Sequence, residues 1–289
     1  MKKARTVQEE NHIARLAAKI CLYALCVFVA LICLFPFFAL LLTVTKDSAT
    51  IQQGFKFTIG NSFFDNVKNL IEFMNLRDYS IVRSFFNSTF ISVFSTGLCI
   101  YFSALTAYAC HVYDFKGKAI FEKFILFLII IPGQLGTVGF FRLVFELNIQ
   151  ETYIPFILPA ICSPSTVFFL RQYLRSNFSK EYVDAARMDG ASEFRIFNMI
   201  CLPYIKTALA TMALFGIISS WNAVMGPLMF ITEPQNYTLP QILFFLNAEN
   251  NPDYGQVYAG VLLTMIPMLL IYFFMSKVIM KGVAAGGLK

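Results

Sequence analysis

"EYVDAARMDGASEFRIFNMICLP" fills residues 181–203, a charged segment set between two stretches apolar enough to disappear into a bilayer. Its surroundings decide the fold class. The chain is 57% hydrophobic and only 14% charged, with 33 Phe and a mean hydropathy of +0.64, well beyond an ordinary soluble domain. Six windows, at about 17–45, 86–112, 119–145, 152–174, 204–232 and 255–280, reach the roughly 20 apolar residues needed to cross a hydrocarbon core about 30 Å thick. The first is kept as a membrane helix, because Ile20 to Val44 is too long for a signal-peptide core and no small-x-small cleavage site follows. The expectation is an all-α membrane protein of six transmembrane helices, with residues 1–289 forming a single membrane domain.

Lys and Arg set the orientation. With a cytoplasmic N-terminus, residues 1–19, 111–123, 171–206 and 277–289 hold 17 of the 23 basic residues, and the opposite side holds 6. That bias satisfies the positive-inside rule with both termini cytoplasmic. Residues 1–16 are then a cytoplasmic tail, 46–83 and 233–254 are extracytoplasmic, and 176–202 faces the cytoplasm. The net charge of +6 reads as a topology signal, and no nucleic-acid partner is inferred from it. Seven cysteines sit mostly in apolar spans without ligand spacing, which reads as small buried hydrophobes.

Catalytic chemistry is missing. His12 and His111 are the only histidines, and neither has a partner at metal or catalytic spacing. "GQLGTVG" (133–139) lacks the Lys-Ser/Thr of a phosphate loop and reads instead as small residues permitting close helix contact after a kink at Pro132. This chain is therefore not expected to hydrolyse a nucleotide or to be an enzyme. Ionisable residues are nearly absent from the middle thirds of the spans, where proton or sodium pathways place them. Arg142 and Glu146 are spaced for structural pairing at i,i+4.

Within the opening segment, Ser179 is read as a helix N-cap, with Lys180 to Asp189 helical and Gly190 at the left-handed C′ position. Ser192 caps a second short helix with Glu193 in its first turn, and Phe194, Phe197 and Ile200 recur every three residues as one apolar face. Pro203 fits the first turn of the next membrane helix. Ala185 and Ala186, beside Tyr182 and Asp189, leave room for another backbone to approach. The pattern leaves two readings open, a docking element for a partner or an amphipathic hairpin lying on lipid headgroups.

The order Asp184-Ala185-Ala186, Gly190, Ile200, Leu202-Pro203 resembles the EAA loop of the membrane subunits of ATP-binding-cassette importers. The family usually has Glu where Asp184 stands. "FFNSTFISVFSTGLCIYFSALTAYA" (85–109), "SSWNAVMGPLMF" (219–230) and "GVAAGGLK" (282–289) are similar to the corresponding regions of carbohydrate-uptake permeases such as the second, six-span membrane subunit of the maltose transporter. The resemblance implies a bacterial or archaeal cytoplasmic-membrane permease that imports a sugar by alternating access. It implies a second permease subunit, two cytoplasmic ATPase subunits that bind the ATP and Mg, an extracytoplasmic solute-binding protein and surrounding lipid, with no cofactor on this chain. The loop would couple to the ATPase through Asp184, Ala185, Ala186, Asp189, Gly190, Ala191, Phe194, Phe197 and Pro203. Residues 233–255 would reach toward the binding protein, with an ordinary lid on the cavity as the competing reading.

Sugars need hydrogen-bonding side chains and aromatic faces, which are rare in membrane spans. Trp221 and Asn222 are read mid-span in the fifth helix with Ser219 and Ser220 one turn earlier, and Asn87, Ser88 and Gln134 are further path candidates. Interhelical polar packing competes for Asn222. Rival classes are a permease for a non-sugar solute, a secondary transporter or channel, and a membrane enzyme.

Overall fold

A computed structural model describes residues 2–286. The last three residues of "GVAAGGLK" lie outside the described residues, as does Met1 of the cytoplasmic-tail reading. Among the described residues the regular structure is all helical. The chain divides into two compact units, Met1–Ile71 with Asn251–Leu262, and Glu72–Asn250 with Leu263–Lys289.

In the first unit, α1 (Lys2–Thr43) has every described side chain from Ala18 to Phe38 exposed, as expected of a helix apolar all round that is meant for lipid or for other spans. The segment after it is held by short polar bonds. Asn66 donates to the carbonyls of Val44 and Lys46, each at 2.8 Å, and the Gly60 amide donates to Thr45 Oγ1 at 2.8 Å. Gly60 must be glycine, since a Cβ would stand 2.3 Å from the Thr45 carbonyl oxygen. The short α2 (Ser48–Gln52) is capped by Asp47, and α3 (Phe63–Leu76) carries Asn66. At the start of α15 (Tyr254–Gly286), the Tyr254 amide donates to Ser48 Oγ at 3.0 Å.

The second unit is organised on α4 (Ile81–Val112), whose buried side runs through Ser84, Ser88, Ser92, Ser95 and Ser103. Small hydroxyl residues at helical spacing let neighbouring helices come close without stranding bulk. The fit is tight at Gly216, where a Cβ would lie 2.8 Å from Thr96 Cγ2. Against α4 pack α8 (Pro164–Asn177) and α12 (Lys206–Trp221). Arg171 on α8 pairs with Glu122 on α5 (Lys118–Ile130) at 2.7 Å. A buried core joins α4, α8 and the 181–203 segment through Ala104, Tyr108, Leu170, Leu174, Val183, Ile196 and Phe197.

Ala18–Thr43, Ile81–Val112, Ile154–Asn177 and Tyr254–Phe274 are long and apolar enough to cross a membrane. Two further pairs are bent, α5 with Gly133–Glu146 by 88° and Glu193–Tyr204 with α12 by 78°, and the total reaches six when each pair is one span. The first bend is far sharper than a proline kink. Ile131 is extended ahead of Pro132, whose ring denies the helix both a donor and the space of the preceding carbonyl. Gly133, Gly136 and Gly139 have nothing within 4 Å of a built Cβ, so they make no close helix contact in this chain, contrary to the packing expectation. Past them, α6 (Thr137–Glu146) carries the expected Arg142–Glu146 pair at 2.7 Å.

The fifth span also departs from expectation. Pro203 lies in the short α11 (Leu202–Tyr204), ahead of the break at Ile205, and the long helix begins only at Lys206. Trp221 is the last residue of α12 and Asn222 its cap, so neither is mid-helix. The Asn222 side chain donates to the Ile218 carbonyl at 2.9 Å, a bond back along its own helix. Pro227 in α13 (Met225–Phe230) bars a simple continuation. Residues 233–254 carry a capped helix, α14 (Leu239–Asn247), with Leu239, Ile242 and Leu246 buried.

Candidate functional site

Residues 181–203 form a bent hairpin. Helix α9 (Glu181–Met188) starts after Ser179, whose Oγ accepts the Glu181 amide at 3.2 Å, though Lys180 holds the cap position itself. It stops in a Schellman closure: the Gly190 amide donates to the Arg187 carbonyl and the Ala191 amide to the Ala186 carbonyl, each at 3.0 Å. Gly190 has φ +78°, the left-handed conformation its place in the sequence requires. Helix α10 (Glu193–Ile196) follows, and then a wide π-type turn over Phe197–Cys201.

The apolar side chains of this stretch do not share one side. Phe194 is 69% exposed, whereas Phe197 is 1% exposed and Ile200 only partly buried, so the three do not form one docking face. Phe197 faces the core rings of Tyr101 and Tyr108, and the wide turn that begins there shifts only the later Ile200 off the 3.6-residue stripe. Ala186 is likewise buried against this chain's own core while Ala185 is exposed. Asp184, Asp189 and Pro203 are exposed, and Ala191 packs against the core edge. The outward apolar surface is Tyr182, Met188, Phe194 and Met199.

Arg187 braces the bend. Its Nε donates to Glu193 Oε1 at 2.7 Å across the glycine turn and its Nη1 to Asp184 Oδ1 at 3.1 Å. The guanidinium sits 5.8 Å from the centre of the Tyr113 ring, and the Tyr113 hydroxyl donates to Glu193 Oε2. The hydrogen bond the guanidinium donates to Glu193, first of all, holds the Arg187 pKa above its usual value. Beside this, Asp114 accepts from Lys118 at 2.9 Å and pairs with Lys180 at 3.5 Å. Lys118 chiefly, and Lys180, keep the Asp114 carboxyl below the usual range. The connector between α4 and α5 is thus tied to the hairpin. Asp184 and Arg187 stand three residues apart on α9, the spacing of a helical ion pair; opposite charges six residues apart across a glycine are the signal for Arg187–Glu193.

A second feature is a cavity of about 230 Å³ between α4, the 154–160 region and the end of α12, lined by Ser88, Ser95, Ser219, Ser220, Trp221 and Thr238 among others. Trp221 is 3% exposed and its Nε1 has no hydrogen-bond partner. Ser219 and Asn222 are exposed, and Asn222 does not line the cavity. Asn87 is committed elsewhere, donating to the carbonyls of Gln235 and Tyr237 at 3.0 Å each. Gln134 is exposed in the Gly133–Gly136 turn, away from the cavity wall.

Residues 14–284 match the family described as "Binding-protein-dependent transport system inner membrane component". The chain is 33% identical to the arabinooligosaccharides transport system permease protein AraQ of Bacillus subtilis (strain 168), over 90% of this chain and 92% of that one. It is 28% identical to the lactose transport system permease protein LacG of Rhizobium radiobacter, over 90% and 93%. A crystal structure of a bacterial ABC transporter involved in the import of the acidic polysaccharide alginate has the same fold, with a TM-score of 0.75 at 23% identity, covering 89% of this chain and 95% of that chain.

Proposed function

The chain belongs to the inner membrane components of binding-protein-dependent transport systems, and from that premise we propose that it is one permease subunit of an ATP-driven importer for a sugar or oligosaccharide. It contributes half of the translocation path. A second permease, two ATPase subunits carrying ATP and Mg, and an extracytoplasmic binding protein complete the assembly. The chain crosses the cytoplasmic membrane six times with both termini and the 181–203 hairpin on the cytoplasmic side, an orientation supported by its Lys and Arg distribution.

One observation carries this reading. The hairpin is anchored on one side to the core of α4 and α8 through Val183, Ile196 and Phe197, and leaves Tyr182, Met188 and Phe194 exposed on the other. A push on the exposed side reaches the membrane helices directly, because Ile205 and Ala208 at the head of α12 belong to the same core. ATP binding by the partner ATPases then biases one of two arrangements of the path, and hydrolysis resets it.

Reconstitution with its ATPase and binding protein tests the proposal. ATP-dependent, vanadate-sensitive uptake of a neutral trisaccharide is expected, and in a cysteine-free background Asn236→Cys reacts with an impermeant maleimide from outside whereas Ser192→Cys does not. Uptake abolished by an ionophore but indifferent to vanadate defeats ATP coupling, and outside labelling at Ser192→Cys defeats the topology.

A further inference from the structure

We propose that residues 53–60, inside the segment read as extracytoplasmic, dip into the outer leaflet and bind lipid acyl chains, anchoring the outer end of α1. This rests on the membrane orientation given above, with the end of α1 outside. In "QGFKFTIG" (53–60) the apolar Phe55, Phe57 and Ile59 alternate with Lys56 and Thr58, the pattern of an extended strip with one apolar side. Phe57 is 72% and Ile59 77% exposed, and Phe55 is exposed beside them. Three such side chains on one short loop form a contiguous apolar patch, which marks a contact surface.

Depth identifies what the patch contacts. Phe55 and Phe57 pack on Phe35 of α1, with ring centres 5.8 and 6.3 Å from it, and on each other at 4.8 Å. Phe35 stands eight residues before the end of α1 at Thr43, about 12 Å along the helix axis. The span Ala18–Thr43 has 26 residues, about 39 Å of helix against about 30 Å of hydrocarbon. With the excess shared between the two ends, Phe35 lies about 7 Å beneath the hydrocarbon boundary, and rings stacked on it stay below that boundary too. A soluble partner does not reach there.

Lipid fits this patch better than another membrane span does. Spans pack through Gly, Ala, Ser and Thr, which let backbones approach, whereas Phe rings beside Lys side chains are the composition of a segment at the headgroup boundary. Lys56 is exposed and leans on Gln53 Oε1 at 2.8 Å. The loop also answers the membrane's demand that backbone groups find partners within the protein. Lys46, only 4% exposed, donates from Nζ to the Lys56 carbonyl and holds its ammonium 5.4 Å from the centre of the Phe55 ring. The Gly60 amide donates to Thr45 Oγ1 and the Ser62 amide to the Thr45 carbonyl, each at 2.8 Å. A buried lysine just past the span thus clips the loop back against it.

Nitroxide labels at Phe57→Cys and Ile59→Cys test the anchor, in the cysteine-free chain assembled with its partner subunits in lipid nanodiscs. Collision with oxygen, which concentrates in hydrocarbon, should exceed collision with a water-soluble nickel chelate at both positions, and the order should reverse at Asn236→Cys. Nickel collision equal to or above oxygen at 57 and 59 puts the loop in water and overturns the proposal. Labels shielded from both reagents put it against protein and overturn it as well. Maleimide labelling in intact cells separates this from the orientation beneath it. With Asn236→Cys reactive from outside, a loop in water removes the anchor alone, whereas outside labelling at Ser192→Cys removes both.

Discussion

Arg187 and Glu193 meet at 2.7 Å across the Gly190 bend, so the angle between the two hairpin helices is fixed by a side-chain fork as well as by the backbone. Both side chains are partly exposed, and exposed pairs are worth only about 0.2–1 kcal/mol. Arg187→Ala is therefore expected to change thermal stability little. Its effect falls on transmission, with sugar imported per ATP hydrolysed dropping about fivefold or more, the low end of a coupling free energy. Arg187→Lys keeps the charge but cannot hold Asp184 and Glu193 together with a planar fork, and should lie between. Parallel measurement of melting and coupling ratio checks this; a loss of stability with an unchanged ratio refutes the brace.

Gly190 gives a second test of the bend. A Cβ there meets nothing within 4 Å, yet φ is +78°, so the cost of substitution is conformational, roughly 1 kcal/mol or more for a branched residue. Gly190→Val should reach the membrane at normal abundance and transport poorly. Gly190→Asn, whose side chain tolerates the left-handed region, should retain most of the uptake. Equal uptake by Val and Asn variants argues against the bend as the coupling element.

Phe194 and Phe197 look alike in the sequence and differ in place. Phe197→Ala removes a core aromatic that contacts Tyr108, with ring centres 5.4 Å apart, and should cost about 3–5 kcal/mol, seen as lost membrane abundance. Phe194→Ala should leave abundance intact and weaken ATPase retention. Pull-down against quantified membrane protein distinguishes the two, and lost abundance in the Phe194 variant would contradict the assignment.

The contrast shows where sequence reading reached and where it stopped. Features set by one residue's own chemistry were readable: the left-handed Gly190, the Arg142–Glu146 pair, and spans recognised by apolar length. Features set by what lies across the fold were not. The apolar period of Phe194, Phe197 and Ile200 places all three on one side, whereas Phe197 packs on Tyr108 in the core and Phe194 stays exposed, and the π-type turn over Phe197–Cys201 breaks the 3.6-residue spacing before Ile200. Asn222 read as mid-span because apolar residues continue on both sides of it, yet it is the cap residue of α12, with its side-chain amide bonded back to Ile218. Asn87, a path candidate, is consumed by two carbonyls about 150 residues away in sequence, a commitment no spacing rule contains.

Glu151 carries the pH prediction. It sits between α6 and α7 (Ile154–Ile157) at φ +61°, a conformation that a residue with a Cβ adopts only when held there. Its carboxylate accepts the Thr232 amide at 2.7 Å, the Thr232 hydroxyl at 2.6 Å and the Glu233 amide at 3.1 Å. Partial burial pushes its pKa up, but the Thr232 hydroxyl and the Thr232 and Glu233 amides outweigh this, and the net displacement is downward. A carboxylate with a lowered folded value stabilises the fold fully above its unfolded pKa, about 4.3, and loses that contribution as pH falls through the lowered value. The tie between Glu151 and residues 232–233 should thus hold at neutral pH and release in acid. Glu151→Gln, which keeps one acceptor oxygen and turns an NH2 toward these donors, mimics release at neutral pH. Amide exchange at Thr232 and Glu233 should speed up about tenfold, the equivalent of roughly 1.4 kcal/mol for losing charged hydrogen bonds, and acid should erase the difference between the variant and the parent. Identical protection in the two proteins at neutral pH would show that the carboxylate charge does not hold this segment.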